Sequence, residues 1–275
     1  MVKISAGRWA CLVLLAVAVN PLAAVADRFL TLASTTSTRD SGFFDAVLPP
    51  FEAKTGIQVR VVAVGTGRAL RLGERGDVDA VLVHDRASEL EFVAEGHGIA
   101  RREVMYNDFV LIGPSADPAR VRGVTDAANA FARIAENGAI FTSRGDDSGT
   151  HKGELRLWEA AGMDPRTDSG TWYRETGTGM GGTLNTAAEL EAYLLADRGT
   201  WLSFKNRGDL EILVEGDPRL RNVYSAILVN PARHSHAKSE EARALVEWLV
   251  SDEGRTAIAA FRLEGMQLFH PVMPE

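Results

Sequence analysis

The chain has 275 residues, of which 45% are hydrophobic and 24% are charged. This composition is that of a folded globular protein and excludes an intrinsically disordered one. The formal net charge of −7 argues against a nucleic-acid partner, so we expect none. It also means that any site for an anion must be created by local geometry.

The first 26 residues predict a secretory signal peptide. Lys3 and Arg8 form a short basic region, residues 9–19 are an apolar run, and residues 24–26, "AVA", are a small-x-small cleavage pattern. We expect cleavage after Ala26, which would change the formal charge to −9 by removing the two basic residues. An uncleaved membrane anchor is the alternative, and the shortness of the apolar run disfavours it.

Cysteine chemistry is excluded for the mature chain. The sequence has one cysteine, Cys11, and it lies inside the predicted signal peptide. After cleavage there would be no disulfide, no catalytic thiol and no cysteine-ligated metal.

Strand and helix patterns alternate from residue 29 to residue 96. The strand-like runs are 29–35, 57–64 and 78–84, and the helical ones are 43–55, 68–76 and 87–96. Gly56 closes the first helix. This alternation predicts an α/β fold with mostly parallel sheets flanked by helices.

The same alternation continues to the end of the chain. Strands are predicted at 108–114, 139–143, 210–217 and 222–231, and helices at 131–138, 149–163, 183–199 and 239–261, the last with a break at 252–254. No linker rich in Pro, Ser or Gly separates two halves. A second domain would therefore be made by the chain crossing out and back.

Three loops share one pattern: each follows a strand, is rich in Ser, Thr and Gly, and precedes a helix. They are residues 34–38 "STTST", 65–67 "GTG" and 143–150 "SRGDDSGT". In open α/β sheets ligands bind at the carboxyl ends of strands. Helix N-termini there offer unpaired N–H groups and a positive dipole end, which suit an anion.

Arg144 strengthens the anion interpretation of the third loop, because its planar guanidinium is suited to oxyanions. Asp146 and Asp147 could orient Arg144, could accept a hydrogen bond, or could be simple N-terminal acids of the helix. For any single loop, an ordinary helix cap remains an alternative.

A set of motifs resembles the tungstate-binding proteins of bacterial ABC transporters. The motifs, in chain order, are "TTSTRDSGFFDAVLPPFEAKTGIQV", "VGTGRAL", "GDVDAVLVHDRASELEF", "YNDFVLIGP", "SRGDDSGTHKGE", "GTGMGGTLNTAAE" and "YLLADRGTW". The Arg-x-x-x-Ser-Gly-Thr element also resembles the anion loop of phosphate-binding proteins. The resemblance implies a type II periplasmic binding protein fold: two α/β lobes, a two-strand hinge, and a cleft that closes on an oxyanion.

The resemblance also implies a division of the chain. Residues 27–109 plus 226–275 would form lobe one, and residues 110–225 lobe two. The hinge would fall at 107–114 and 223–231, and the loop 177–185 would border the cleft from lobe two.

The ligand-binding residues that the resemblance implies lie on the three loops, with Arg144 compensating the charge of the anion. They are Ser34, Thr35, Thr36, Ser37, Thr66, Gly67, Ser143, Arg144, Ser148, Gly149 and Thr150. The first motif reads Ser-Thr-Thr-Ser where the family has a run of threonines. The resemblance further implies a monomeric periplasmic protein, not an enzyme, without a cofactor, whose partners are tungstate and an ABC permease in the inner membrane.

Three alternatives remain open at this point. The oxyanion could be molybdate, phosphate or sulfate, and a protonated phosphate would need Asp146 or Asp147 as an acceptor. A secreted serine hydrolase could use Ser148, His151 and Asp147, although no Gly-x-Ser-x-Gly motif is present. His234 and His236 could bind a metal, although a solvated loop explains them as well.

Overall fold

The computed structural model describes residues 28–273, and the predicted signal peptide lies outside them. Within this range the strands are β1 (Phe29–Thr35), β2 (Gln58–Val64), β3 (Ala80–Val83), β4 (Gly98–Pro114), β5 (Phe141–Ser143), β6 (Tyr173–Glu175), β7 (Leu194–Asp197), β8 (Leu210–Val214), β9 (Arg221–Val229), β10 (Arg262–Leu263), β11 (Met266–Gln267) and β12 (His270–Pro271). The helices are α1 (Thr36–Asp40), α2 (Phe43–Thr55), α3 (Thr66–Arg75), α4 (Arg86–Ala94), α5 (Ala127–Glu136), α6 (Gly149–Ala160), α7 (Met180–Leu190), α8 (Arg198–Ser203), α9 (Ser239–Leu249) and α10 (Asp252–Ala260). None of these helices is long and apolar enough to cross a bilayer.

The main sheet is mixed. Its central path runs β12-β4-β9-β3-β1-β2, with β7 and β8 also paired to β4. β1 is parallel to β2 and β3, whereas β9 is antiparallel to both β3 and β4. The prediction of mostly parallel sheets is therefore wrong. The physical reason is that β4 leads the chain from one region of the molecule to the other and β9 leads it back, so that the two strands run in opposite directions and pair with each other.

Strand β4 changes partners partway along its length. It pairs with β9 from Gly98 to Asp108, and with β7 and β8 from Phe109 to Pro114. The returning strand, β9, begins at Arg221, opposite Asp108. The chain thus passes between two regions of the molecule near Asp108 and again near Arg221.

The buried hydrophobic side chains divide in the same way. Two clusters contain only residues up to Met105 or from Tyr224 onward. The other two contain only residues from Phe109 to Leu220. We call the elements around the first pair the N/C lobe and those around the second pair the middle lobe. Each lobe has its own core, which is what permits two lobes to move as units.

The single helix predicted over residues 183–199 is wrong. Helix α7 ends at Leu190 because Glu191 adopts a left-handed conformation with φ of +49°. The chain then forms β7, which pairs antiparallel with β4 and whose four residues are all buried. Pairing with β4 overrides the helical pattern of "AAELEAYLLAD".

Candidate functional site

The loop between β5 and α6 is built around the helix N-terminus. Ser148 is the N-cap of α6, and its Oγ accepts a hydrogen bond from His151 N at 3.2 Å. Asp147, with φ of +57°, turns the chain into the helix. The capping interpretation therefore holds for the Ser148 side chain, while the amides of Gly149 and Thr150 in the first turn remain available to an anion.

Arg144 is a buried cation whose Nε–H has no hydrogen-bond partner among the described residues. It is 6% exposed, and its Nη2 donates to Asp146 Oδ2 at 2.5 Å. Asp146 Oδ1 in turn accepts from Ser148 N at 3.3 Å. Arg144 Nε is buried and has no hydrogen-bond partner within residues 28–273. Asp146 thus orients the arginine and leaves its buried Nε–H for a ligand, since buried donors are rarely left unpaired.

The second loop meets the third one face to face. Thr66 begins α3 and is fully buried, yet its Oγ1 has no partner among the described residues. A Cβ added to Gly65 would lie 4.0 Å from Ser148 Cα, and one added to Gly67 would overlap Asp147 Oδ2. The N-termini of α3 and α6, from opposite lobes, therefore converge on one small volume.

The first loop offers fewer free donors than the sequence indicated. Ser34 Oγ donates to Leu82 O at 2.7 Å, so its proton is used to join β1 to β3. Thr35 Oγ1 is hydrogen-bonded to Thr38 Oγ1 at 2.7 Å and to Ser37 Oγ at 3.3 Å. Ser34 is thus a structural residue in this arrangement, and the donors left to this loop are Thr35, Thr36 and Ser37.

A cavity of about 330 Å³ lies between the first loop and the middle lobe. Thr36 and Ser37 line one side of it, and residues 179–182 with Thr200 line the other. The loop 177–185, predicted to border the cleft, therefore does face the N/C lobe. Gly179 is the N-cap of α7 and no side chain caps this helix.

His84, at the end of β3, is a cleft residue whose contacts the sequence did not reveal. A Cβ added to Gly149 would lie 2.5 to 2.9 Å from three atoms of its ring. Burial lowers the pKa of His84 to about 4. Its Nδ1 donates to Asn222 Oδ1 at 2.9 Å, because the Asn222 amide nitrogen already donates to Asn107 Oδ1 at 2.7 Å. The ring is therefore neutral and packs against Gly149, in the loop and helix start that the middle lobe contributes.

Two further residues, His151 and Asp197, lie near Arg144; sequence reasoning named His151 only for the hydrolase alternative and did not single out Asp197. His151 Nδ1 accepts from Asp147 N at 3.3 Å, so Nε2 carries the proton, and this buried N–H has no partner in the described part of the chain. Asp197 caps α8 by accepting from Thr200 N at 2.8 Å. Burial raises the pKa of Asp197 while nearby Arg144 opposes that rise. The sequence "DRGT" contained the cap signal but nothing to place it beside Arg144.

The hydrolase and metal alternatives find no support. Ser148 Oγ is bonded to a backbone amide and the Asp147 carboxylate pairs with Arg71 and Lys152, so no triad is assembled. His234 and His236 are hydrogen-bonded through Nε2 to the carbonyls of Glu74 and Gly76. Across residues 28–273 there is no group of three His, Cys, Asp or Glu side chains that could hold a metal.

Two lobes with separate cores, linked by crossing strands and facing each other through helix N-termini, define a two-lobed α/β binding protein. The profile of the PBP superfamily domain matches residues 22–253, and the chain belongs to that family. Its relatives include the tungstate-binding protein TupA of Peptoclostridium acidaminophilum, 47% identical over 88% of this chain and 85% of that protein. The family resemblance inferred from the motifs is confirmed.

Solved structures agree with this assignment. The tungstate-binding protein TupA from Desulfovibrio alaskensis superposes with a TM-score of 0.80 at 47% identity, covering 90% of this chain and all of that one. The tungstate ABC transporter structure from Geobacter sulfurreducens gives a TM-score of 0.77 at 48% identity, covering 85% of this chain and 98% of that one. The chain is therefore similar to solute-binding proteins of ABC transporters over most of its length.

Proposed function

We propose that this protein captures tungstate as the substrate-binding component of an ABC importer. One observation carries the proposal: Arg144 Nε and Thr66 Oγ1 are buried donors without partners in the described chain, on loops from opposite lobes that meet. Two such donors in a closed interface are costly unless an acceptor lies between them. A tetrahedral oxyanion supplies acceptors in both directions.

The proposed site combines one cation with neutral donors. Arg144 compensates charge, and the amides at the start of α3 and α6 add the positive ends of two helix dipoles. We assign ligand contacts to Thr35, Thr36, Ser37, Thr66, Gly67, Ser143, Arg144, Ser148, Gly149 and Thr150. Ser148 contributes its amide, since its hydroxyl oxygen caps α6.

The available groups favour a fully deprotonated anion. Each oxygen of Asp146 already accepts one hydrogen bond, from Arg144 and from Ser148 N, and the Asp147 carboxylate pairs with Arg71 and Lys152. A protonated phosphate would need one of these acceptors for its hydroxyl group. Without such an acceptor, the phosphate hydroxyl would be buried unpaired. Tungstate and molybdate carry no proton at neutral pH, and both are larger than sulfate.

We infer that the protein performs no covalent chemistry and holds no cofactor. It would work as a monomer in the periplasm after loss of residues 1–26, and would deliver its ligand to an ABC permease in the inner membrane. Its acidic charge of −7 speaks against nucleic acid as a partner.

We propose that the lobes are residues 27–109 plus 226–275 and residues 110–225. The first boundary is supported by β4, which leaves β9 for β7 at Phe109. For the second boundary, the pairing of Arg221 and Asn222 with β4 favours a position about five residues earlier. The hinge would then consist of β4 near Asp108 and the start of β9.

Calorimetric titration of residues 27–275 with tungstate, molybdate, phosphate and sulfate tests the proposal. We expect tight one-to-one binding of tungstate, and weak or no binding of phosphate and sulfate. Tight phosphate binding would move the protein to a phosphate-carrying role, and silence with all four anions would refute oxyanion capture. The molybdate titration measures selectivity between the two anions that resemble each other most.

A further inference from the structure

Helix α6 contacts the N/C lobe at a second place, beyond the loop of residues 143–150. Arg156 Nη1 donates to Asp85 Oδ1, and Lys152 Nζ donates to Ser88 Oγ at 2.8 Å. Lys152 Nζ also lies 4.0 Å from Asp85 Oδ2. Asp85 and Ser88 belong to the start of α4, whose Phe92 packs in the N/C core, whereas Leu157 of α6 packs in the middle-lobe core.

Asp85 is a buried carboxylate that is already held in position to pair with these cations. Its side chain is 2% exposed, and it caps α4 by accepting from Ser88 N at 3.1 Å and from Ser88 Oγ at 2.6 Å. Burial acts to raise the pKa of Asp85, but the Ser88 hydrogen bond and Arg156 outweigh it and hold that pKa below its ordinary value. The carboxylate thus stays charged, held by Ser88 of its own lobe and by Arg156 of the other.

The contact is separate from the proposed ligand site but rigidly connected to it. Lys152 and Arg156 are four residues apart and share one face of α6. Arg156 follows Gly149 by seven residues, which is about 10 Å along a helix. Helix α6 therefore engages the N/C lobe at two places: its N-terminus lies against it through residues 143–150, and its flank through Asp85.

We propose that Asp85, Ser88, Lys152 and Arg156 form an interlobe latch that stabilises the closed cleft and so tightens oxyanion binding without touching the anion. The inference rests on the proposed function. A contact that exists only in the closed form adds its free energy to the apparent affinity of any ligand that requires closure. These four are positioning residues, and their loss should act mainly on ligand release.

The test is a double-mutant cycle on tungstate binding with Arg156→Met and Asp85→Asn. Methionine keeps the apolar stem of the arginine, and asparagine keeps the cap of α4. We expect each single variant to weaken tungstate binding by roughly threefold to thirtyfold through faster release, and the double variant to be no weaker than the worse single one. Arg166→Met, which removes an exposed pair with Asp164 inside the middle lobe, is the matched control and should change nothing.

Cleft closure can be measured independently of affinity. Because the predicted mature chain has no cysteine, Glu159→Cys and Glu240→Cys place spin labels at exposed positions of α6 and α9. We expect Arg156→Met to lower the closed fraction with and without tungstate. An unchanged closed fraction, or additive losses of affinity in the cycle, would overturn the latch while leaving tungstate capture intact. If the unmodified protein bound no tungstate, the proposed function would fail, and the label distances in the ligand-free protein would still decide on the latch.

Discussion

The two walls of the cleft differ in what they offer an anion. The middle-lobe wall carries Arg144, a buried cation that Asp146 holds in place and whose buried Nε–H has no partner in the described chain. On the N/C wall the first two loops present neutral hydroxyls and amides, and several hydroxyls are already bonded, as Ser34 is to Leu82 O and Thr35 is to Thr38. In the proposed site the middle lobe would therefore supply charge compensation, and the N/C lobe would add neutral donors when the cleft closes.

The largest expected loss of tungstate affinity follows from removing Arg144, the one positive side chain of the proposed site. Arg144→Ala should weaken tungstate binding by about one to two orders of magnitude, because a charge-assisted hydrogen bond in a dry site is worth roughly 1.5–3 kcal/mol. Calorimetry measures the loss, and circular dichroism checks that the fold remains. A variant that binds tungstate like the unmodified protein would remove Arg144 from the site and abolish the asymmetry between the walls.

A smaller effect is expected on the N/C wall, at Thr66. Thr66→Ala removes a neutral donor and should weaken binding by roughly fivefold to thirtyfold, corresponding to about 1–2 kcal/mol. Thr66→Ser keeps the hydroxyl and should bind nearly normally. Because Thr66 Oγ1 has no partner in the described chain, unfolding of the ligand-free alanine variant should require at least as much denaturant. Equal affinities of the alanine and serine variants would contradict a ligand role for this hydroxyl.

Ser34 should behave in the opposite way, although it lies in the same wall. Ser34→Ala leaves the buried Leu82 carbonyl without its donor, and should lower the free energy of unfolding by about 1–3 kcal/mol. Tungstate affinity should change by less than about twofold. Urea unfolding and calorimetry on the same preparation separate the two quantities. A large loss of affinity with unchanged stability would return Ser34 to the ligand set.

The smallest expected effect is on the pH dependence of stability and concerns Glu154, a buried residue of helix α6. Burial raises the pKa of Glu154 to about 8, and its Oε1 accepts from Tyr173 Oη at 2.8 Å and from Trp158 Nε1 at 3.2 Å. Because the folded state holds this proton more tightly than the unfolded chain, the contribution of Glu154 to stability falls as pH rises from about 4.5 toward 8. Glu154→Gln should reduce this decline in unfolding experiments across that range. An identical pH profile in the variant would show that the carboxyl group is ionised in the fold at neutral pH.

Local sequence patterns were sufficient for much of the fold. The alternation from residue 29 to residue 96 yields β1, α2, β2, α3, β3 and α4 close to their observed bounds, and the helix break near residue 252 separates α9 from α10. Patterns failed where distant pairing decides. The segment of β7 has a helical pattern but pairs with β4. The first ten residues of β4 are too polar for their sequence alone to predict a strand, and they form one by pairing with β9.

The candidate site was predictable to the level of loops, but not of individual hydrogen bonds. Strand–Ser/Thr/Gly–helix spacing identified all three loops, because that chemistry is local. Which donors are free depends on neighbours far along the chain: the Ser34 hydroxyl donates to Leu82 O, and the Asp147 carboxylate lies against the Cα of Gly67. His84 and Asp197 joined the site only through tertiary packing.

The most direct measurement is a crystal structure of residues 27–275 with tungstate, using the anomalous scattering of tungsten to locate the metal centre. We expect a single tungsten peak between the N-termini of α3 and α6, with the tungstate oxygens within hydrogen-bonding distance of Arg144 Nε and Thr66 Oγ1. A peak away from these two donors, with Arg144 Nε still unpaired, would contradict this site.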